Sequence, residues 1–273
     1  MLSNNKVTLK NLSGDGNMSD WNSAQYMKFA KERTQPSVDL VARLCDINPK
    51  NVLDIGCGPG NSTHALKMRF ADADILGIDA SPDMLERARA TYPDMKFRQC
   101  FVPQGFAEID ENFDLIFSNA CIHWIPKQKA LLTATVDKLN RGGTLAVQIP
   151  YIQAAPFYKV LFKMVESEKW QKLSVIKNFH NLTPEEYYDV LSELGLDFDI
   201  WQTDYFHTVD GIDGVINWYK GSGLRPYLDA LDENEQSEFL TELKENIKSR
   251  YSFQSNGKMI LKMPRIFFTA TKK

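Results

Sequence analysis

The sequence predicts an α/β fold with a doubly wound, mostly parallel sheet, and three observations carry this prediction. Short apolar runs alternate with helical patterns over the first 150 residues. The first of these runs leads into a loop that contains Gly56, Gly58 and Gly60. Two further strand patterns appear in a second half that is otherwise helical. Strands that alternate with helices form parallel sheets with helices on both faces.

The elements of the first half can be predicted in order. A helix is predicted from Pro36, with Val41 and Leu44 on its apolar face. The predicted strands are residues 51–55, 75–79, 96–102, 113–117 and 144–149. The pair Ser81-Pro82 predicts a helix start, because serine caps helices and proline fits the first helical position.

The second half carries a different pattern. Thr183 and Glu186 have the spacing of a capping box at a helix start. Residues 233–250 form an amphipathic pattern, and residues 197–207 and 259–270 read as two more strands. Twenty aromatic residues lie after residue 150 and 11 before it, which indicates a pocket-lining second half.

This pattern predicts four parts along the chain. Residues 1–17 are rich in Asn, Gly and Ser and predict a disordered tail. Residues 18–35 are predicted to be an N-terminal cap helix, and residues 36–150 a cofactor-binding core. Residues 151–273 would form a helical substrate cap together with the last two strands.

Composition excludes several function classes. No run of ~18 apolar residues is present, so no membrane span is predicted. The net charge of −3 is spread over both halves, which argues against nucleic acid as a partner. The four cysteines form no Cys-x-x-Cys pair, so we expect a reduced, cytoplasmic protein without zinc or disulfides. A monomer is the default expectation for the oligomeric state.

The loop after the first strand carries the chemistry. Glycines let a ligand lie directly on the main chain, and a helix start offers unpaired N–H groups. Ligands of open parallel sheets bind at the carboxyl ends of the strands. Asp79 ends the second strand, 19 residues beyond Gly60, where a carboxylate can accept hydrogen bonds from ribose hydroxyls.

A nicotinamide-dependent dehydrogenase is the obvious rival interpretation. Its dinucleotide site requires the spacing G-x-G-x-x-G, with the pyrophosphate on the helix start. Here the spacing is G-x-G-x-G, and Asp54 precedes it. An acid there would repel a pyrophosphate and attract an ammonium group. The segment therefore favours an adenosine that carries an amino acid.

On these residues the chain resembles the class I S-adenosylmethionine-dependent methyltransferases. The resemblance implies a Rossmann-like sheet of seven strands, the last antiparallel, with S-adenosylmethionine as cofactor and S-adenosylhomocysteine as product. It implies these cofactor-binding residues: Asp54, Gly56, Cys57, Gly58, Gly60, Asp79, Ala80, Met84, Cys100, Phe101 and Asn119. Many members bind the adenine amine with an acid after the third strand. This chain has Gln99-Cys100-Phe101 there, which leaves the amine to Gln99 or to backbone.

Segments outside the loop carry a narrower resemblance. They are Met18-Ser-Asp-Trp-Asn22, Asn119-Ala120 with Trp124, Tyr187-Tyr-Asp-Val-Leu-Ser192, Gly223-Leu-Arg-Pro-Tyr227 and Met263-Pro-Arg-Ile-Phe267. They are similar to methyltransferases that esterify trans-aconitate, which implies a small tricarboxylic acid as substrate and a monomethyl ester as product. The chain departs from that pattern at His123, where glutamine is expected, and in the additional residues 1–17.

Carboxylate chemistry fits this resemblance. A carboxylate is ionised at pH 7 and needs no general base, only alignment and partial dehydration. His123 stays a candidate general base, because its ordinary pKa lies near neutrality. A single histidine beside a tryptophan is more often a wall residue.

Arginine recognises further carboxylates best, through its bidentate fork. Three arginines lie in aromatic surroundings and are candidate substrate ligands: Arg33, Arg225 and Arg265. An arginine in an apolar strand, such as Arg265, needs either a ligand carboxylate or an internal acid as its partner. The candidate pocket walls are Trp21, Tyr26, Phe29, Trp124, Trp201 and Tyr205, each of which could equally be a core residue.

Two alternatives to this function stay open on the sequence. The first is a methyltransferase for another small molecule or for a carrier-bound acid. The second is a protein that binds S-adenosylmethionine without turnover.

Overall fold

The computed structural model describes residues 30–176 and 179–273, with side chains from Thr34 onward. The predicted tail, most of the predicted N-terminal cap helix, and Trp21, Tyr26 and Phe29 lie outside the described residues. The side chain of Arg33 also lies outside them.

Seven strands form one sheet in the order β3-β2-β1-β4-β5-β7-β6. The strands are β1 (Asn51–Ile55), β2 (Asp74–Asp79), β3 (Lys96–Gln99), β4 (Phe113–Asn119), β5 (Leu139–Pro150), β6 (Asp197–Val209) and β7 (Met259–Thr271). Strand β7 runs antiparallel to both of its neighbours, and the pairs among β1 to β5 are parallel. The predicted doubly wound, mostly parallel sheet is confirmed.

Nine α-helices connect the strands in the described part of the chain. They are α1 (Ala30–Ala42), α2 (Asn61–Arg69), α3 (Pro82–Thr91), α4 (Gln128–Asp137), α5 (Pro156–Val165), α6 (Pro184–Glu193), α7 (Gly211–Lys220), α8 (Arg225–Asp229) and α9 (Glu233–Lys248). The predicted caps are confirmed, since Ser81 accepts from the Met84 backbone N–H and Thr183 forms a capping box with Glu186.

Three predicted boundaries are wrong by three residues or more. Helix α1 begins at Ala30 and contains Pro36, so the boundary predicted at residues 35 and 36 falls inside a helix. Proline removes one backbone donor and crowds the carbonyl four residues earlier, but the buried Leu40 and Val41 hold this helix on the sheet. Strand β3 ends at Gln99 instead of residue 102, and β5 begins at Leu139, before its two glycines.

Each face of the sheet has its own apolar core. Helices α1 and α2 cover one face, where Val52, Phe117, Ala146 and Phe267 are buried. The opposite face packs against α4 and α6. Residues two apart along a strand point to the same face, so the face under α1 can be followed from strand to strand.

A third core belongs to a helical cap built on an extension of the sheet. Strands β6 and β7 pair over their full length, but β5 ends where Pro150 pairs with Arg265. Beyond that point Leu261 and Met263 of β7 pack against α5, α7, α8 and α9. We call these four helices and the extended part of β6 and β7 the cap. The cap and the sheet therefore share two continuous strands.

Candidate functional site

Four polar residues lie at the carboxyl edge of the sheet, on the face under α1. They are Asp54 on β1, Asn119 on β4, Gln148 on β5 and Arg265 on β7. Each stands two positions along its strand from a buried apolar residue of that face. Asn119 is the register partner of Gln148, and Arg265 that of Pro150. We call these four residues the polar row. It brings the predicted Asp54, Asn119 and Arg265 onto one surface.

Asp54 is fully buried and presents one open oxygen. Its Oδ2 accepts hydrogen bonds from the hydroxyls of Ser62 and Thr63, both at 2.6 Å, whereas Oδ1 has no partner. Burial raises the pKa of this carboxyl to about 6, against the lowering effect of the two hydroxyls. An ammonium group would satisfy the open oxygen.

Asp79 is held at the end of β2 by the neighbouring loops. Its Oδ2 accepts from the Gly58 backbone N–H and its Oδ1 from that of Ser81, both at 2.9 Å. Burial raises the pKa of this carboxyl, and the backbone donors oppose the rise. Each oxygen retains a lone pair for a further donor, such as a ribose hydroxyl.

The three glycines of the loop have different surroundings. All have positive φ, with Gly60 in the left-handed N-cap position of α2. A Cβ on Gly56 would lie 2.2 Å from the Cys121 Sγ, so the fold needs glycine there. A Cβ on Gly58 would meet nothing within 4 Å. The open space at Gly58, the open Asp54 oxygen and the neighbouring Asp79 fit the amino-acid and ribose parts of S-adenosylmethionine.

The residues predicted around the adenine lie beside Asp79. The Cys100 N–H donates to the Asp79 carbonyl, and the Gln99 side-chain amide donates to the Ala80 carbonyl at 3.0 Å. The Gln99 Oε1 therefore stays available to accept from an amine. Met84 and Cys57 are buried, whereas Phe101 is 58% exposed and offers a ring face.

His123 lies in a short 3₁₀ helix after β4 and packs among aromatic rings. Its ring centroid lies 4.8 Å from Trp124 and 5.9 Å from Phe179, and its Nδ1 has no partner. Burial, aided by the charge of Arg265, lowers the pKa of this imidazole well below its ordinary value. His123 is therefore neutral at pH 7 and a poor general base.

Arg265 is the buried cation of the site, with 7% of its surface exposed. Its guanidinium is within electrostatic reach of His123, Tyr205 and Tyr219. The Tyr205 hydroxyl donates to Asp39 of α1. The predicted substrate residues Arg265 and Tyr205 thus lie together.

A cavity of about 390 Å³ opens beside them. Its described lining residues are Asp39, Ala42, Arg43, Trp201, Thr203 and Phe267. Trp201 stacks on Phe267, and the guanidinium carbon of Arg43 lies 4.7 Å from the centre of the Trp201 ring.

Arg225 has an internal partner in the structure. Its Nε lies 3.4 Å from the Asp229 Oδ2, one helical turn away in α8, and a third of its side chain is exposed. The glycine of the same motif has a packing role, because a Cβ on Gly223 would lie 2.2 Å from the Tyr158 hydroxyl and 2.5 Å from the Phe179 ring. That Phe179 ring also contacts Trp124, at 4.8 Å between centroids.

Sequence reasoning missed three residues of this region. Gln148 carries the same sequence signal as Arg265, because both are polar residues inside an apolar strand. Asp39 and Phe179 gave no local signal, because their partners lie far away along the chain.

The described residues lack two further features. They hold no group of His, Cys, Asp or Glu that could bind a metal ion. The helices among them are too short or too polar to cross a membrane.

Comparisons with known proteins agree with this geometry. A family model described as a methyltransferase domain matches residues 52–143. The trans-aconitate 2-methyltransferase of Rhodopseudomonas palustris strain HaA2 is 38% identical over 258 residues, covering 93% of this chain and all of that protein. That of Escherichia coli O157:H7 is 40% identical over 256 residues, covering 93% and 99%.

Solved structures share the fold at low sequence identity. The YcgJ protein of Bacillus subtilis is 16% identical with a TM-score of 0.56, covering 88% of this chain and 99% of that one. The plantazolicin methyltransferase BpumL, in complex with S-adenosylhomocysteine, is 15% identical with a TM-score of 0.53, covering 92% and 90%. With relatives of 38–40% identity over nearly its whole length, the chain belongs to the trans-aconitate 2-methyltransferase family of S-adenosylmethionine-dependent methyltransferases.

Proposed function

We propose that this enzyme transfers a methyl group from S-adenosylmethionine to a carboxylate of trans-aconitate, or of a closely related tricarboxylic acid, and forms a monomethyl ester in the cytoplasm. The observation that carries the proposal is the buried Arg265, which lies on the same sheet face and at the same edge as Asp54 and Asn119. The names of the relatives support the choice of acid.

The cofactor supplies an electrophilic methyl group when it is bound. Asp54 would pair its open oxygen with the cofactor's ammonium group, and Gly58 would let the ligand lie on the main chain. Asp79 would accept from the ribose, while Gln99 and Phe101 would contact the adenine. Each assignment rests on an open atom or an open surface described above.

The acceptor acid needs a cationic partner and a pocket wall that excludes water. Arg265 would bind one carboxylate of the acid through its planar fork. A neutral His123 with Trp124 would form one wall, and Trp201 with Tyr205 another. The reacting carboxylate is already ionised, so no residue has to remove a proton from it. Trp21, Tyr26, Phe29 and Arg33 stay predicted substrate residues.

The test combines turnover with a matched pair of arginine variants. Wild-type protein is incubated with methyl-labelled S-adenosylmethionine and a panel of di- and tricarboxylic acids, and base-labile ester is measured. We expect ester from trans-aconitate. Arg265→Met should raise the KM for the acid by roughly 10- to 100-fold, as expected for lost charged hydrogen bonds. Arg225→Met, at an arginine whose side chain is one third exposed, should raise it less than Arg265→Met does.

Two outcomes would contradict the proposal. Cofactor binding without ester from any acid would favour a non-catalytic binding protein. An equal loss of acid and S-adenosylhomocysteine affinity in Arg265→Met would assign Arg265 a structural role.

A further inference from the structure

Gln148 is a buried amide whose hydrogen-bonding groups are both unused. The side chain has no exposed surface, and neither Oε1 nor Nε2 has a hydrogen-bond partner. Leaving such groups unpaired inside a protein destabilises the fold, so cores rarely keep them without a function.

A second buried glutamine shows how this fold treats a structural amide. The Nε2 of Gln128 donates to the carbonyls of Ile122 and Ile125 at 2.7 and 2.6 Å, and its Oε1 accepts from the Tyr187 hydroxyl at 3.1 Å. The amide of Gln128 is thus fully hydrogen-bonded within the protein, whereas the buried amide of Gln148 makes no hydrogen bond.

The position of Gln148 indicates what its amide meets. Across the sheet, the polar row runs from Asp54 on β1 through Asn119 and Gln148 to Arg265 on β7. Asn119 is the direct register neighbour of Gln148 and also has an unpartnered Oδ1. Arg265 is its diagonal neighbour, and such pairs on antiparallel strands are ~7–8 Å apart. Gln148 therefore lies between the cofactor side and the arginine.

We propose that Gln148 binds the carboxylate that is methylated, an inference that rests on the proposed function. Its Nε2 donates a hydrogen bond to one carboxylate oxygen and leaves the other oxygen to face the methyl donor, while Arg265 pairs with a different carboxylate of the same acid. The new bond forms between the free oxygen and the methyl carbon as the carbon–sulfur bond breaks, with its electron pair left on sulfur. No proton is transferred.

An amide suits this task better than a second arginine. The carboxylate loses its charge as the ester forms, so a strong ionic partner would stabilise the starting anion more than the transition state. A hydrogen bond from an uncharged amide holds the carboxylate less strongly than a bidentate ion pair with a second arginine would. Gln148 can therefore orient the carboxylate without strongly lowering the reactivity of its free oxygen.

The experiment compares Gln148→Leu with the matched variant Gln128→Leu. For Gln148→Leu we expect kcat/KM for the acid to fall tenfold or more and S-adenosylhomocysteine affinity to change less than twofold. Its Tm should stay unchanged or rise, because open polar atoms leave the core. Gln128→Leu should show the lower Tm that Gln148→Leu does not, because its hydrogen bonds to Ile122, Ile125 and Tyr187 are lost. Gln148→Glu, which keeps the shape but repels an anion, should lose at least as much activity as Gln148→Leu.

The outcomes separate this inference from the proposed function. Wild-type ester formation together with unchanged kcat/KM in Gln148→Leu overturns the role of Gln148 alone. A parallel fall in S-adenosylhomocysteine affinity also overturns it, because Gln148 would then serve the cofactor site. Absence of ester from every acid with wild-type protein overturns the proposed function and this inference together.

Discussion

At the residue scale, the role proposed for Asp54 would couple cofactor binding to pH. Its carboxyl is fully buried, with Ser62 and Thr63 on one oxygen and nothing on the other. Burial raises its pKa to about 6, so the carboxyl of the free protein titrates just below neutrality. A bound ammonium group favours the ionised form and lowers this pKa, so binding releases a proton wherever the free carboxyl is protonated.

Cofactor affinity should therefore fall as the pH is lowered through about 6. The sign follows from the raised pKa: above it the carboxylate is already charged, and below it each unit of pH costs roughly tenfold in affinity. We expect the Kd for S-adenosylhomocysteine to rise about tenfold between pH 7.5 and pH 5, as measured by calorimetry. Asp54→Asn should bind more weakly at pH 7.5 and lose this slope. A slope that persists in Asp54→Asn would assign the titration to another group.

Most of the cofactor side could be predicted from the sequence because its residues lie on one strand–loop–helix unit and at the next strand's end. The acceptor side could be predicted only where one residue broke a pattern, as Arg265 does in an apolar strand. Arg225 stands in an equally suggestive motif, and its substrate role stays a prediction beside its ion pair with Asp229, one helical turn away. The Tyr205–Asp39 hydrogen bond joins residues 166 positions apart, and no local pattern encodes it.

At the scale of single elements, the glycines of the loop between β1 and α2 differ in what surrounds them. Gly56 and Gly58 both have positive φ, at 72° and 53°. Only Gly56 also packs against a side chain, that of Cys121, while the space over Gly58 is open. The two residues therefore share a backbone requirement and differ in their surroundings.

Substituting alanine at each position should separate these roles. Both variants carry a left-handed strain of about 1–2 kcal/mol. Gly56→Ala adds an overlap that should cost about 1–3 kcal/mol more and lower the Tm further. Gly58→Ala should keep the higher Tm but lose more S-adenosylhomocysteine affinity, because its methyl enters the open space. Thermal unfolding and calorimetry on both proteins test this, and equal Tm values would show that Cys121 gives way.

Element boundaries were predicted less well than element types. The pattern predicts a helix start at Pro36, whereas α1 spans Ala30–Ala42 and runs through the proline, held by the buried Leu40 and Val41. Helix and strand types follow from the period of apolar residues, but ends depend on packing with distant elements.

At the scale of the whole molecule, β6 and β7 join the sheet and the cap into one unit. The strands pass from a core under α1 to a core formed by α5, α7, α8 and α9 without a break in pairing. Damage to the cap core should therefore reach the cofactor site. Phe239 is suited to this test, because it is fully buried in the cap, 4.9 Å from the ring of Trp170.

We expect Phe239→Ala to lose about 3–5 kcal/mol of stability in a single transition. Tryptophan fluorescence from the cap and S-adenosylhomocysteine binding at the sheet should vanish at the same lowered temperature. Phe253→Ala, at a ring that is 68% exposed, should change the stability by no more than about 0.5 kcal/mol. Cofactor binding that outlasts the cap signal on heating would show two independent units.

The shared strands also limit how this fold can change in length. Side chains alternate between sheet faces with a period of two. One residue inserted into β7 between Arg265 and Phe267 would turn Arg265 away from α1, whereas two would keep its direction and shift it along the strand. Only an even number of inserted residues would therefore keep Arg265 facing α1, and an odd number would require a β-bulge to restore its direction.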